Sequence, residues 1–188
     1  MNVYDFDRTI FHPDSSFSFF MYCLRRYPRQ VLKAAVPALI QAANYLYEGK
    51  KDAKKLKEAL FSYLNRIDDI DSVVDAFWEK HFYQIAEWYL AQKKDDDLII
   101  SASPEFLLKP VAERLHVDLI ATRMNPYTGK ISGKNCHDIE KCRRFKERFS
   151  TDEIDEFYSD SLSDTPMAEI ARKAYLVVKL ERSEWPDL

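Results

Sequence analysis

Glycine is scarce in this sequence, with only three among 188 residues, whereas phenylalanine and tyrosine together supply 23. This composition argues against a glycine-rich all-β fold and favours long helices with an aromatic interior. An apolar content of 46% is sufficient for a buried core, so extensive disorder is not expected. The chain length fits one globular unit that carries a sizeable insertion.

Cysteine is equally rare, and the three thiols, which form neither a close pair nor a zinc-ligand pattern, are Cys23, Cys136 and Cys142. We expect them to be reduced, which predicts a cytoplasmic location. Long hydrophobic runs are also missing. The most apolar segment, residues 31–47, is interrupted by Lys33 and Pro37 and is shorter than the ~20 residues of a membrane span. Acidic residues occur near the amino terminus before any hydrophobic stretch, which argues against a secretory signal.

The net charge of −3 conceals an asymmetry, because residues 1–57 carry +5 and the remainder carries −8. Basic residues that could face an anionic ligand or an anionic membrane surface are Arg25, Arg26, Arg29, Lys33 and the run 50–57. For the second of these groups, a solvated helix face is an equally good interpretation. No nucleic-acid-binding motif is present, and the acidic balance argues against such a partner.

Hydrophobic spacing divides the chain into a short strand, a helical stretch and an alternating second half. Residues 3–6 favour a buried strand. Four helices are then expected, over residues 17–24, 31–46, 56–64 and 73–90, with breaks at residues 27–28, 48–50 and 68–69. The second half alternates expected strands, at residues 97–101, 117–121, 157–158 and 175–178, with expected helices, at residues 105–115, 138–149 and 167–172.

Strands that alternate with helices are typical of a parallel sheet covered on both faces. We therefore predict an α/β fold with a Rossmann-like three-layer core, interrupted by an inserted all-helical domain. The expected core spans residues 1–12 and 94–188, and the inserted domain spans residues 13–93. Pro104 suits the first position of the following helix, and Gly129 and Gly133 predict a tight hairpin.

Polar side chains follow the expected strands at the points where they end. In parallel sheets, ligands bind beyond the carboxyl ends of the strands, so these side chains are expected to share a site. Asp5 and Asp7 are two residues apart, so both project to one side while Phe6 enters the core. The residues expected at this edge of the sheet are Asp5, Asp7, Ser101, Lys141, Asp160 and Asp164.

Four of these segments resemble, in order, the four motifs of the haloacid dehalogenase superfamily. They are Asp-Phe-Asp-Arg-Thr-Ile at residues 5–10, Ile-Ile-Ser-Ala-Ser-Pro-Glu at residues 99–105, the lysine within residues 138–145, and Ser-Asp-Ser-Leu-Ser-Asp at residues 159–164. The resemblance spans nearly the whole chain. It is closest to the phosphoserine-phosphatase-like branch, subfamily IB, in which a helical cap follows the first motif. The inserted domain would then be such a cap.

This resemblance implies a magnesium-dependent phosphomonoester hydrolase in which Asp5 becomes an aspartyl-phosphate. A phosphate ester is anionic and resists attack by a carboxylate, so a metal cation must offset the repulsion. Asp5, Asp160 and Asp164 supply hard oxygen ligands of the kind Mg²⁺ prefers, and the backbone carbonyl of Asp7 could supply another. The Asp7 side chain is placed to protonate the leaving alkoxide and then to activate water.

Further residues are expected to bind the phosphoryl group or the substrate. Ser101 can donate its hydroxyl and Lys141 can neutralise charge, with Ser103 and Lys134 as the respective alternatives. Asp164 could simply cap the helix beginning at residues 165–166, a role compatible with holding a metal-bound water. The resemblance implies substrate contacts from Asp14, Thr9 and Ala102, but for Thr9 a side-chain to backbone hydrogen bond that buttresses the loop is the favoured interpretation.

The cap segment bears on the substrate. Asp14 stands where phosphoserine-specific relatives carry a glutamate, and the shorter acid argues against phosphoserine itself. Residues 14–28 and the apolar helix after them resemble bacterial phosphatidylglycerophosphate phosphatases, which implies a phospholipid headgroup, as an alternative to a small phosphorylated metabolite, and peripheral contact with an anionic membrane. A buried helical bundle would explain the same apolar stretch. The sequence does not indicate an oligomeric state.

Other functions share parts of this pattern. A signalling receiver domain also uses an aspartyl-phosphate, but its acceptor follows a later strand and it lacks the long helical insertion. A dehalogenase would normally lack the second aspartate, Asp7. A phosphotransferase or mutase would share every residue named above, and a non-catalytic binding module is the remaining alternative.

Overall fold

The protein is built around a six-stranded sheet, seen in a computed structural model that describes residues 1–47 and 53–186. The strands are β1 (Asn2–Tyr4), β2 (Leu98–Pro104), β3 (Asp118–Thr122), β4 (Glu156–Ser159), β5 (Lys173–Val178) and β6 (Glu181–Glu184). Their order is β3-β2-β1-β4-β5-β6, and only the β5–β6 pair is antiparallel among the described strands. The predicted α/β fold with a parallel sheet is thus confirmed, with one antiparallel edge strand added.

Eight α-helices accompany the sheet within the described residues: α1 (Ser15–Arg26), α2 (Pro28–Tyr47), α3 (Ala53–Leu60), α4 (Ile70–His81), α5 (Glu87–Gln92), α6 (Glu105–Leu115), α7 (Ile139–Lys146) and α8 (Thr165–Ala168). None of them combines the length and apolar character needed to cross a bilayer. The predicted break at residues 48–50 lies outside the described residues.

Alternating side chains of the strands build two separate cores, one on each face of the sheet. Tyr4 and Tyr158 face a cluster that includes residues of α1, α4, α5 and α6. Val3 and Phe157 face the opposite cluster, which contains Cys142 of α7 and residues of α8. This division follows from the two-residue period of a strand and gives the three predicted layers.

The inserted helices contribute directly to the first of these cores. The Tyr4 ring of β1 lies 4.8 Å from that of Tyr89 in α5 and 4.9 Å from that of Tyr158, measured between ring centroids. Helices α1 and α4 supply Phe19 and Phe77 to the same cluster. The division into domains at residues 13 and 93 therefore stays a prediction.

Two predicted helices differ most from the observed ones, and a third, expected over 56–64, ends at Leu60. The helix expected over 73–90 is split into α4 and α5, because the intervening backbone pairs elsewhere: the Ala86 N–H donates to the Ile10 carbonyl at 2.8 Å, and Ile85 bridges Phe11. The helix expected over 167–172 is only the short α8. Pro104 was also misplaced by one position, since it caps α6 from outside as the last residue of β2.

The glycine spacing predicts a tight hairpin after β3, and the structure has one, which also contacts α3. Met124 bridges Ile131, and the Asn125 N–H donates to the Lys130 carbonyl at 2.8 Å. The Ile131 N–H in turn donates to Oε1 of Glu58 in α3 at 2.9 Å. The hairpin therefore joins the inserted helices to the region after β3.

Gly129→Ala is expected to lower the free energy of unfolding by about 3 kcal/mol, because it adds a steric clash to backbone strain. A Cβ at Gly129 would lie 2.4 Å from the Phe61 carbonyl oxygen, and the residue has a φ of +68°. Gly133 is a matched control: its φ is +79°, but a Cβ there meets nothing within 4 Å. Urea unfolding of both alanine variants measures the difference, and equal losses would contradict the clash.

Candidate active site

The loop after β1 holds Asp5 and Asp7 at the carboxyl edge of the sheet. The Asp5 N–H donates to the Tyr158 carbonyl at 2.8 Å, which continues the pairing of β1 with β4. Phe6 is fully buried, and its carbonyl accepts from the N–H groups of Ile10 and Phe11 at 3.1 and 2.9 Å. Asp5 and Asp7 both line a cavity of about 390 Å³. The side chains thus lie on the sides expected for an extended segment.

Lys141 of α7 reaches into this cavity and joins two carboxylates. Its Nζ lies 2.6 Å from Asp5 Oδ1 and 2.7 Å from Asp164 Oδ2, and its side chain is only 2% exposed. The alternative lysine, Lys134, is exposed, and its carbonyl accepts from buried Arg144 of α7. The structure therefore brings Lys141, and not Lys134, to the carboxylates.

The site carries more negative than positive charge at its centre. Burial raises the pKa of Asp5, the Lys141 ammonium opposes this rise, and the Asp164 carboxylate adds to it. Burial lowers the pKa of Lys141, but Asp5 and Asp164 raise it by more, so the lysine remains an ammonium. Two buried carboxylates share one ammonium, and a further cation would relieve the excess charge.

The oxygen atoms around the cavity fit a divalent cation. Asp164 Oδ2 accepts from Lys141 and from the Ser159 hydroxyl at 2.7 Å, whereas Asp164 Oδ1 is buried and has no hydrogen-bond partner in the described structure. Asp160 lines the same cavity and pairs with exposed Arg8 at 3.0 Å. In the described ranges, no group of three acidic, histidine or cysteine side chains lies close enough together to bind a metal ion as it stands. The ion pair with Arg8 uses Oδ2 of Asp160, so the other carboxylate oxygen is left to a cation.

Asp164 does not act as the predicted helix cap. It occupies the position before α8, but its side chain makes no capping hydrogen bond there, and its Oδ2 is bonded instead to Lys141 and Ser159. Asp14 does cap a helix, since its Oδ1 accepts from the Phe17 N–H at 2.9 Å. Asp14 also lines the cavity, where the sequence places a substrate contact.

The serines of β2 lie beside Asp7. Ser103 donates its hydroxyl to Asp7 Oδ2, and the Ser15 N–H donates to Oδ1 at 2.7 Å. Burial raises the pKa of Asp7 and Asp14 adds to the rise, while the bonds from Ser103 and Ser15 oppose it. Ser101 Oγ accepts from the Ser103 N–H at 3.1 Å, which leaves the hydroxyl hydrogen of Ser101 available to a ligand.

Thr9 and Ala102 occupy supporting positions. The Thr9 hydroxyl lies 3.5 Å from Asp5 Oδ2, and Thr9 is fully buried and does not line the cavity, which favours the loop-buttressing alternative over a substrate contact. The Ala102 carbonyl accepts from Lys57 Nζ at 2.6 Å and from the Thr122 hydroxyl at 2.7 Å. Its backbone therefore ties β2 to β3 and to the inserted helices.

Sequence reasoning missed two cations in the cavity, Arg8 and Lys57. Lys57 belongs to the basic run that a solvated helix face would explain, yet its Nζ also bonds Asn135 Oδ1 at 3.0 Å inside the cavity wall. Burial lowers its pKa. The available signal was its position on α3 beside Leu56 and Leu60, one turn apart, which line the same cavity.

Comparison with known proteins identifies relatives over most of the chain. The family model described as haloacid dehalogenase-like hydrolase matches residues 3–169. Protein CicA of Caulobacter vibrioides is 31% identical over 159 residues, which cover 80% of this chain. The match covers 61% of CicA, so the chain spans about three fifths of the length of that relative.

Two solved structures share the fold at low sequence identity. A Bordetella pertussis Tohama I protein of unknown function has a TM-score of 0.71 and 20% identity, over 93% of this chain and 87% of that one. A phosphoserine phosphohydrolase-like protein from Francisella tularensis subsp. tularensis SCHU S4 has a TM-score of 0.58 and 16% identity, over 96% and 88%.

The narrower resemblances, to subfamily IB and to phosphatidylglycerophosphate phosphatases, stay predictions. The broader one is confirmed, because the family model matches residues 3–169, which are more than half of the chain. This chain therefore belongs to the haloacid dehalogenase-like hydrolase family.

Proposed function

We propose that the protein is a magnesium-dependent phosphatase that hydrolyses phosphomonoesters through an aspartyl-phosphate on Asp5. The observation that carries this proposal is the contact of buried Lys141 with both Asp5 and Asp164 in a cavity that also contains Asp7 and Ser101. Asp5, Asp160, Asp164 and the Asp7 carbonyl would hold the cation. Bound there, Mg²⁺ would offset the repulsion between the substrate and the carboxylates.

Each remaining step belongs to a side chain of the cavity. Asp5 Oδ1 is held by Lys141, while Oδ2 has, among the described residues, only the long contact with Thr9 and is the oxygen free to attack phosphorus. Lys141 and the Ser101 hydroxyl offset charge on the phosphoryl oxygens. Asp7 donates a proton to the leaving oxygen and then accepts one from the water that cleaves the Asp5–phosphate bond.

Hydrolysis is the alternative that the family description favours over transfer. A phosphotransferase or mutase would use the same residues and differ only in the acceptor, and a binding module would need none of the buried ion pairs.

For the substrate, we propose a small phosphorylated metabolite or a phospholipid headgroup rather than phosphoserine. Asp14 supports this because its Oδ1 already caps α1.

The wild-type protein is expected to release phosphate from 4-nitrophenyl phosphate only when Mg²⁺ is present. Chelation with EDTA should abolish the release, and added Mg²⁺ should restore it, because the buried carboxylates otherwise repel the ester. Ca²⁺ is the matched control, since its larger and looser coordination suits an in-line transfer poorly. Equal phosphate release in EDTA would contradict metal dependence, and no release with any ester tested would contradict the phosphatase assignment.

The proposal includes a reduced cytoplasmic setting and peripheral contact with anionic membranes. The three cysteines are free and buried, which suits a reducing compartment. Helix α2 exposes apolar side chains four residues apart, beside exposed Arg29 and Lys33: they are Leu32, Val36 and Ile40, which are 52%, 48% and 58% exposed. An apolar stripe flanked by basic residues complements an anionic lipid surface.

The protein is expected to sediment with phosphatidylglycerol vesicles at low salt and to remain in solution with phosphatidylcholine vesicles. Ile40→Ser combined with Lys33→Gln should weaken sedimentation about tenfold, because both apolar burial and charge attraction are reduced. Val178→Ser is the control, because Val178 is a comparably exposed apolar residue, at 53%, but lies on β5 rather than on α2. This variant should sediment like the wild type. Failure of the wild type to sediment would exclude the membrane contact while leaving the phosphatase proposal intact.

A further inference from the structure

Three serine hydroxyls meet beside Asp7, and the mechanism above uses none of them. Ser103 Oγ lies 3.0 Å from Ser15 Oγ and 2.9 Å from Ser16 Oγ, and it also contacts Asp7 Oδ2. Ser103 donates its single hydrogen to Asp7 Oδ2, a bond that Oδ2 can accept whether Asp7 is ionised or carries a proton on another lone-pair position. Ser15 and Ser16 must then both donate to Ser103. The direction of every bond in the cluster is thereby fixed.

The cluster leaves little room for solvent to replace these bonds. Ser15, Ser16 and Ser103 are 0%, 7% and 2% exposed. A buried hydroxyl that loses its partner retains the full cost of desolvation. The cluster therefore favours the one arrangement in which all three serine hydroxyls are hydrogen-bonded.

The two oxygens of Asp7 are held from different parts of the chain. Oδ2 is bonded by Ser103, at the end of β2, and Oδ1 is bonded by the backbone N–H of Ser15, the first residue of α1. These two bonds set the plane of the carboxyl group. Each oxygen retains one further lone-pair position, on which a proton for the leaving group can reside.

We propose that Ser103, supported by Ser15 and Ser16, is a positioning residue that fixes the orientation of Asp7 for proton transfer. The inference rests on the proposed phosphatase function and extends it. As the Asp5–phosphorus bond forms and the ester P–O bond breaks, the proton moves from Asp7 to the leaving oxygen. Water later returns a proton to Asp7 and supplies the hydroxyl that ends on phosphate. Ser103 does not bind phosphate in this scheme, because its hydrogen is committed to Asp7.

The test compares two substrates that differ in their need for a proton. An alkoxide requires protonation to leave, whereas 4-nitrophenolate is a stable anion and leaves without it. The value of kcat/KM reports the steps up to formation of the aspartyl-phosphate. Ser103→Ala should therefore lower kcat/KM for butyl phosphate about 30-fold more than for 4-nitrophenyl phosphate.

Matched variants separate positioning from a general structural effect. Ser103→Thr keeps the hydroxyl and should recover part of the butyl phosphate rate, while Ser15→Ala and Ser16→Ala should show the same selectivity with smaller losses. Ser101→Ala, which removes a hydroxyl proposed to donate a hydrogen bond to the phosphoryl group, should lower both rates alike. Ser183→Ala, on exposed β6, should change neither.

Two results would overturn the inference, and they are distinguishable. If the wild type cleaves both esters and Ser103→Ala reduces both equally, Ser103 does not act through Asp7, and the phosphatase assignment stands. If the wild type cleaves neither ester, the phosphatase assignment fails and the inference fails with it.

Discussion

Asp5→Asn is expected to abolish phosphomonoester hydrolysis, with a fall in kcat on the order of 10⁴-fold or more, as for other covalent nucleophiles. The amide cannot form the acyl phosphate, and it removes one of the two carboxylates that contact Lys141. The measurement is phosphate release under Mg²⁺ saturation. Brief incubation with ³²P-labelled substrate followed by acid quenching should also label the wild type and not the variant.

The control for Asp5→Asn is the same change at an exposed site. Asp118 lies at the start of β3, and its side chain pairs with exposed Arg148, so Asp118→Asn should leave kcat unchanged. The fold of the Asp5 variant should persist, because asparagine has the same shape and Lys141 retains Asp164. Undiminished turnover by a folded Asp5→Asn protein would refute the covalent mechanism.

Lys141→Met is expected to lower both activity and stability. Removal of the ammonium leaves Asp5 and Asp164 buried without a counter-charge, and loss of one partner of a buried pair typically costs about 3–5 kcal/mol. Loss of charge stabilisation on the phosphoryl group should lower kcat about 10²–10³-fold. Urea unfolding and steady-state kinetics measure the two effects.

Two further variants keep this prediction interpretable if Lys141→Met unfolds. Lys141→Met combined with Asp164→Asn removes one buried charge, so stability should recover in part while activity stays low. In Lys141→Met alone, Mg²⁺ should raise the melting temperature more than in the wild type, because an added cation offsets the same carboxylates. If Lys141→Met alone is as stable as the wild type and does not respond to Mg²⁺, the buried contacts of Lys141 with Asp5 and Asp164 contribute little to stability.

The layered sheet and the positions of its strand ends could be predicted from the sequence because both depend on local patterns. The two-residue period of β1 places Asp5 and Asp7 on one side of Phe6, and parallel strands align their carboxyl ends. Asp160 and Ser101 follow from the same rule. The cavity indeed contains all three aspartates and Ser101, while their chemical roles remain proposals.

The features that sequence reasoning missed depend on non-local contacts. The division between α4 and α5 arises because Ala86 bonds Ile10, a partner 76 positions away along the chain. Strand β6 consists of exposed charged and polar residues and has no hydrophobic alternation to reveal it, which is typical of a protected sheet edge. Lys57 appears solvated from composition alone, and only the placement of α3 over β2 turns it inward.

The central position of β1 has a consequence for biosynthesis. Its neighbours in the sheet, β2 and β4, begin at Leu98 and Glu156, so the segment carrying Asp5 emerges from the ribosome long before its pairing partners do. Such long sequence separations slow folding and leave hydrophobic segments exposed in the meantime. A nascent chain that stops before β4 therefore lacks the Tyr158 carbonyl to which the Asp5 N–H donates, and it cannot hold Asp5 in its mature geometry.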